Sequence, residues 1–237
     1  MFRNIISQLG KNLVFKRHLP REFGGSPILV SPAAALRYWS RDLNRVDPFL
    51  FRMVRELVRA NNIVWDIGAN VGLFSFAAAQ VASRVIAVEP DPWLANLLQR
   101  STTLNGLPVT VVPAAVSDCC GVTTLHVAER SRASNSLHGP GRPLTVASVT
   151  LDSMLEQYPA PDVLKIDVEG WEHAVLTGAA QVLAQGPVIW CEVTKNHEQV
   201  TRLLTHYGYT LYSARTTMRQ PIPTAYYDTL AIRTAIA

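Results

Sequence analysis

The sequence predicts an α/β domain on a mostly parallel, doubly wound sheet with helices on both faces, and three observations carry that prediction. From residue 63 onward, short apolar stretches alternate with segments of helical periodicity, the pattern of βαβ units. Two of the predicted strands, 63–66 and 85–89, end in an acid beside a turn signal. The chain of 237 residues is long enough for one such domain with a full core and an N-terminal extension, and too short for two ordinary enzyme domains.

Taken in order, residues 1–17 place Ile5, Ile6, Leu9 and Leu13 on roughly one helical face, with Arg3, Lys11, Lys16 and Arg17 for the polar side. An amphipathic helix is expected there, docked on its own domain, with contact to a membrane surface as its other use. Asp47-Pro48 reads as an N-cap followed by proline at the first helical position, opening a helix over 48–60. Strand 63–66, a helix after Asn70, strand 85–89, a helix after Asp91-Pro92 and strand 109–112 follow. The alternation weakens over 115–149, where an extended stretch at 122–127 and a polar loop at 130–142 read as an insertion near the active face. It resumes with a short helix from Asp152, strand 163–167, a helix over 171–184, strand 188–193 and a helix over 196–206. A terminal antiparallel pair, 209–213 and 225–232, closes the chain. The expected division is a basic helical extension over 1–60 and the main domain over 61–237.

The net charge of +4 is unevenly spread, with 11 Lys and Arg against 4 Asp and Glu in the first sixty residues. Such a segment suits a nucleic acid, an anionic membrane or a phosphorylated carrier, but a charge run is more often a solvated face, so nucleic acid is not the expected partner. Cys119, Cys120 and Cys191 form no CxxC pair and have no histidine at zinc-ligand spacing, so neither disulfide framework nor metal is expected, and a reducing, cytoplasmic setting fits. The first residues lack the features of a secretory signal, and no apolar run reaches bilayer length. Oligomeric state has no signature in the sequence.

The central motif runs from Val64 through Asp66, Gly68, Ala69 and Asn70 to Gly72. It is an apolar strand ending in an acid, then glycines spaced GxxxG, which let a backbone turn sharply and approach a ligand. A dinucleotide site instead wants GxGxxG with a pyrophosphate on the helix N-terminus, and Asp66 has no place in it. Glu89, twenty-three residues on, ends the second strand, where an acid can accept both ribose hydroxyls. Two acids at adjacent strand ends fit a nucleoside that carries an ammonium and a sulfonium but no phosphate, S-adenosylmethionine. Pro90, Ser117 and Asp118 join the cofactor-binding candidates, with Asp118 placed at a third strand end to meet the adenine or, equally, as an ordinary turn residue beside Gly121.

With the block Val163 to Glu172 (VLKIDVEGWE) added, the chain resembles the FkbM family of S-adenosylmethionine-dependent methyltransferases, from about residue 64 to 193. The DIGANVG loop, EPDP, VTLDSML and LKIDVEGWE carry the resemblance. It implies the class I methyltransferase fold, Rossmann-like, with a seven-stranded sheet. It also implies methylation of a hydroxyl on a sugar, natural product or related small molecule. A methyltransferase acting on RNA or protein, and a cofactor-binding protein without chemistry, are the other readings.

Methyl transfer to an alcohol needs an aligned lone pair and a route for its proton. Asp167, at the fourth strand end, is the first choice for contact with the cofactor's methionine part or the acceptor. Glu169 and His173, four apart, would meet on one side of a helix starting near Gly170, and either is a candidate base. The KIDVEG block points to Asp167 and Glu169 more than to His173. Lys165 alternates with Asp167 on one strand face, as an ion-pair partner or an oxyanion stabiliser. Glu192, ending the fifth strand, is expected to line the acceptor pocket. Asp167, Glu192 and His173 together have the ligand types for a divalent ion, but acids also gather at strand ends through solvent exposure, and no metal is expected. The polar run Ser134-Asn135-Ser136 is a candidate cover over the cofactor.

Overall fold

The computed structural model describes residues 13–128, 131–137, 140–216 and 220–233. The chain enters on strand β1 (Phe15–His18), which pairs antiparallel with β2 (Pro27–Val30). This corrects the helix expected over 1–17 from residue 15 onward; residues 1–12, which carry most of its apolar face and the membrane-contact reading, lie outside the described residues. The reason is a period of two. Phe15 and Arg17 are half-buried while Lys16 and His18 are exposed, and Phe15 packs on Trp39 with ring centroids 5.5 Å apart. Short 3-10 turns follow at Arg21–Phe23, Leu36–Trp39 and Leu43–Arg45. Helix α1 (Pro48–Leu57) then begins where Asp47 Oδ1 accepts the Leu50 N–H at 2.9 Å.

The main sheet holds β3 (Ile63–Ile67), β4 (Arg84–Val88) and β5 (Val109–Val112), then β9 (Val163–Ile166), β10 (Val188–Val193), β11 (Tyr209–Ser213) and β12 (Tyr227–Arg233). Its order is β11-β12-β10-β9-β3-β4-β5, seven strands among the described residues. Only β12 runs antiparallel to its neighbours. Successive residues of each strand enter opposite layers. Val64, Val85 and Val163 face one core with α1, α2 (Leu73–Ala78) and α3 (Pro92–Asn105). Trp65, Ile86 and Leu164 face the other with α4 (Leu151–Met154), α5 (Glu172–Thr177), α6 (Ala180–Gln185) and α7 (His197–His206). Leu19, Phe23, Ile28, Tyr38 and Leu43 belong to the first of these cores, so the N-terminal segment is packed onto the sheet domain.

The helix expected over 171–184 is two helices broken at Gly178. A Cβ there would lie 2.5 Å from the Ser117 carbonyl oxygen, and the Asp152 carboxylate restarts the second helix by accepting the Gln181 and Val182 N–H groups at 2.9 and 3.0 Å. The weakly patterned region forms a separate sheet in which β8 (Arg142–Val149) lies between β6 (Ala115–Val116) and β7 (Gly121–Val127). The chain leaves β3 toward β4 and β5 and later returns to β9 on β3's other side, so the topological switch point falls between β3 and β9. Ligands in open α/β sheets bind at such a point. Among the described residues no helix is long and apolar enough to cross a membrane.

Candidate functional site

A cavity of about 440 Å³ opens at the C-terminal ends of β3, β4, β9 and β10, within the size range of small-molecule sites. Gly68, Ala69, Asn70, Glu89, Pro90 and Val116 line one half. The loop is folded by its own backbone: the Gly68 and Ala69 N–H groups donate to Val88 O at 2.9 and 3.0 Å. Gly68 sits at φ +80°, and a Cβ on it would lie 1.8 Å from Asp167 O. At Gly72 (φ +84°) the obstacle is Leu98 Cδ2 at 2.3 Å. The close approach these glycines permit is therefore to the protein itself, and Gly72 is off the cavity wall.

Glu89 is the fixed point of this half. Its Oε2 accepts the Asn70 N–H at 2.8 Å and its Oε1 the Asp91 N–H at 2.9 Å. Burial pushes its pKa up to about 8, against the lowering effect of those two bonds. Each oxygen retains a lone pair beyond its backbone partner. Asp91 continues the frame. One oxygen caps α3 through the Trp93 N–H at 2.9 Å, and the other accepts from Asn135 Nδ2 at 2.8 Å and from Arg132. The segment 131–137 is also tied to the N-terminal region through Arg132 N to Ala33 O and Ala133 N to Ala34 O, and to the β9 end through Ser136 Oγ to Glu169 O. Asn135 and Ser136 thus cover the cavity from one side.

Asp66 is fully buried and absent from the wall. Its Oδ2 accepts the Ser75 hydroxyl at 2.5 Å and its Oδ1 lies 3.2 Å from Lys165 Nζ, directly across the β3–β9 register. Lys165 Nζ also lies 3.3 Å from Asp167 Oδ2. Burial pulls the lysine pKa down, but Asp66 and Asp167 together outweigh it and hold the ammonium above its ordinary range. Asp66 therefore reaches the cavity only through Lys165, which is a permanent charge between two acids.

The other half brings Asp167, Glu169 and Glu192 together with Arg37, Tyr38, Asp47, Phe49, Trp190, Arg215, Tyr227 and Asp228. Burial, then Asp167 and Glu172, push Glu169 up to about 7; burial, then Asp167 and Asp228, do the same for Glu192. Burial raises Tyr38 to about 12. Glu169 and Gly170 take φ +53° and +92°. That turn is held by Glu172, whose carboxylate accepts the Gly170 N–H at 2.7 Å and the Thr194 N–H at 3.4 Å. Because α5 starts only at Glu172, Glu169 and His173 share no helical face. His173 is off the cavity wall, so the trio Asp167, Glu192 and His173 is not assembled. Ser117 and Asp118 also lie off the wall. Ser117 Oγ accepts Trp171 Nε1 at 2.9 Å and donates to Asp118 at 3.0 Å, and Asp118 is exposed.

A family model described as the methyltransferase FkbM domain matches residues 66–211. The chain belongs to this family. The FkbM chain is 27% identical over 171 residues to the hexuronic acid methyltransferase AglP of Haloferax volcanii, a match covering 70% of each protein. Among solved structures it resembles the M. jannaschii tRNA m1G37 methyltransferase, with TM-score 0.50 and 14% identity over 93% of this chain and 56% of that one. It also resembles the methyltransferase FkbM of Methylobacillus flagellatus, with TM-score 0.46 and 19% identity over 77% and 50%. The chain thus spans about half the length of these two solved proteins. The fold is that of the class I methyltransferases, with β12 as the antiparallel strand of an otherwise parallel sheet.

The FkbM match covers the Asp66–Gly72 loop, Glu89, Lys165, Asp167, Glu169 and Glu192. It does not reach Arg37, Tyr38, Asp47 and Phe49 on its N-terminal side, nor Arg215, Tyr227 and Asp228 beyond its end. Sequence reasoning missed these, and Arg132 and Trp190 inside the match as well. Asp47 was legible only as a helix cap, and the others belong to no motif.

Proposed function

We propose that the chain transfers the methyl group of S-adenosylmethionine to a hydroxyl oxygen of a sugar or related polyhydroxylated small molecule. The observation that carries the reading is one cavity joining a buried, twice-bonded Glu89 to a wall of carboxylates and aromatic rings at the switch point of a FkbM domain. The donor set suits a nucleoside: a carboxylate with two open lone pairs, set among backbone turns, accepts a ribose diol without further rearrangement. The donor supplies a methyl group on a sulfonium, taken in line by a lone pair of the acceptor.

The remaining work falls to the chain. Lys165, held protonated, cannot be the base; it fixes Asp167 at the crevice and balances Asp66 beneath it. Asp167 and Glu169 are assigned to the donor's ammonium end. Glu192, with a pKa about 7 and next to Trp190 on β10, takes the acceptor proton. The segment 131–137 excludes water from the donor side. The name of the AglP relative, a hexuronic acid methyltransferase, supports a sugar as acceptor.

The test is calorimetry with S-adenosylmethionine, S-adenosylhomocysteine and NAD, followed by labelled-methyl transfer to hexoses and hexuronates. Binding of both sulfur nucleosides but not NAD, with label in an ether on the sugar, is the expected result. At saturating donor the rate should rise with pH through about 7, and Glu192→Gln should remove that limb. Equal binding of NAD, or a stable nucleoside complex that methylates no hydroxylated acceptor, refutes the reading.

A further inference from the structure

Arg215 follows β11 outside the FkbM match and lies on the acceptor wall. Two contacts fix its guanidinium. Nε donates to Asp228 Oδ2 at 2.5 Å, and the guanidinium carbon stands 3.9 Å from the centroid of the Phe49 ring. Asp228 is nearly fully buried and also accepts from Trp190 Nε1 at 3.3 Å, so the arginine is anchored to the sheet itself. The backbone turn that presents it is closed by Arg215 N donating to Ser213 Oγ at 3.3 Å.

The two terminal nitrogens remain. Nη1 and Nη2 make no hydrogen bond to any described residue, and the side chain is 58% exposed. A guanidinium held by its Nε and by stacking presents its other edge as a planar pair of donors, the geometry that grips a carboxylate with two parallel bonds. Glu192, the register partner of Asp228 on the neighbouring strand, stands beside this anchor, and Asp167 and Glu169 line the same cavity. A neutral sugar carries no charge for the guanidinium to hold. An anionic sugar is repelled by the three carboxylates and drawn to Arg215, which leaves its hydroxyls toward the proton acceptors.

We propose that Arg215 forms a carboxylate-binding subsite and that the acceptor is a sugar acid of the uronic class. This rests on the sugar-methylation reading above and names its substrate class. The test is calorimetry on the full chain saturated with S-adenosylhomocysteine, using glucuronate, glucose and glucose 6-phosphate, with wild type, Arg215→Leu and Arg215→Lys. Wild type should bind glucuronate at least about tenfold more tightly than glucose, the margin of one charge-assisted fork. Arg215→Leu should abolish the margin, and Arg215→Lys, which keeps the charge opposite Asp228, should restore only part of it. Glucose affinity should stay unchanged in both variants. No preference for glucuronate in wild type, or a preference that survives both substitutions, overturns the proposal, as does tighter binding of glucose 6-phosphate. Methyl transfer is read separately. Arg215-dependent glucuronate binding without methylation of any sugar overturns the function proposed above and leaves the subsite standing, whereas methylation of glucose and glucuronate alike does the reverse.

Discussion

Raising the pH should tighten binding of S-adenosylmethionine through one identifiable group. In the free protein Glu89 has a pKa about 8, because burial outweighs the two N–H groups that favour its charged form. Hydroxyl donors from a ribose favour the carboxylate, so the bound state holds a lower pKa and binding releases a proton. The sign follows: affinity rises as pH approaches 8 and levels off above it. If the bound pKa lies well below 6, affinity rises about ninefold from pH 6 to 7 and about fivefold from 7 to 8, since the ionised fraction grows from about 1% to about 9% to about 50%. Calorimetry at pH 7 in two buffers of different ionisation enthalpy reads proton release directly, and the share of Glu89, about 0.9 per binding event, is the difference between wild type and a variant without this carboxylate. The comparison is Glu89→Gln, whose amide has one acceptor where the carboxylate has two. One of the N–H groups of Asn70 and Asp91 must lose its partner, at a cost of about 1–3 kcal/mol in stability. The variant should bind weakly with no release assignable to this site. Equal proton release by wild type and variant, or none by wild type, refutes the ribose assignment.

Gly68→Ala should lower stability by more than about 3 kcal/mol, from a left-handed φ and a Cβ driven into Asp167 O; a denaturant midpoint near wild type contradicts that contact. Lys165→Met should cost about 3–5 kcal/mol by leaving Asp66 buried without its cation, and adding Asp66→Asn should recover part of the loss. Additive effects in that cycle mean the pair is not coupled. Asp91→Ala frees Arg132 and Asn135, so hydrogen exchange should quicken over 131–137 and the KM for the donor should rise more than kcat falls; unchanged exchange there rules out the clamp. Asp167→Asn should suppress turnover while leaving thermal stability within about 1 kcal/mol, and wild-type turnover removes Asp167 from the site.

How far the sequence could be read depended on whether an element's signal was local. The alternation from β3 to β5 and from β9 to β12 was visible because each strand is a short apolar run between polar turns, and α1 because Asp47-Pro48 marks its start. Segment 15–18 misled because Leu13, Lys16 and Arg17 fit a helical wheel, while the period of two that decides it depends on pairing with β2 and packing on Trp39, neither of which is local. At the site, Glu89 was legible from its place at a strand end. Asp66 was legible as an acid that matters, but its partner Lys165 stands across the register, a relation fixed only by the order of strands. Glu169 and His173 read as a helical pair because nothing in KIDVEGWEH announces that Glu169 takes a left-handed turn and that Glu172 holds it there. Phe49 and Arg215 gave no signal as site residues, since the contact that joins them spans more than 100 residues of sequence.

The cavity is lined both by the stretch that the FkbM model matches and by two flanks that it does not. Under the function proposed above, the donor side lies in the matched stretch, while the acceptor side joins Trp190 and Glu192 within it to two short flanks outside it, around residues 35–50 and 213–228. Changes in the flanks should therefore retarget the reaction without disturbing the donor. Grafting those two flanks between relatives is the economical way to exchange acceptors, and grouping such enzymes by their flanks rather than by the shared stretch should sort them by what they methylate.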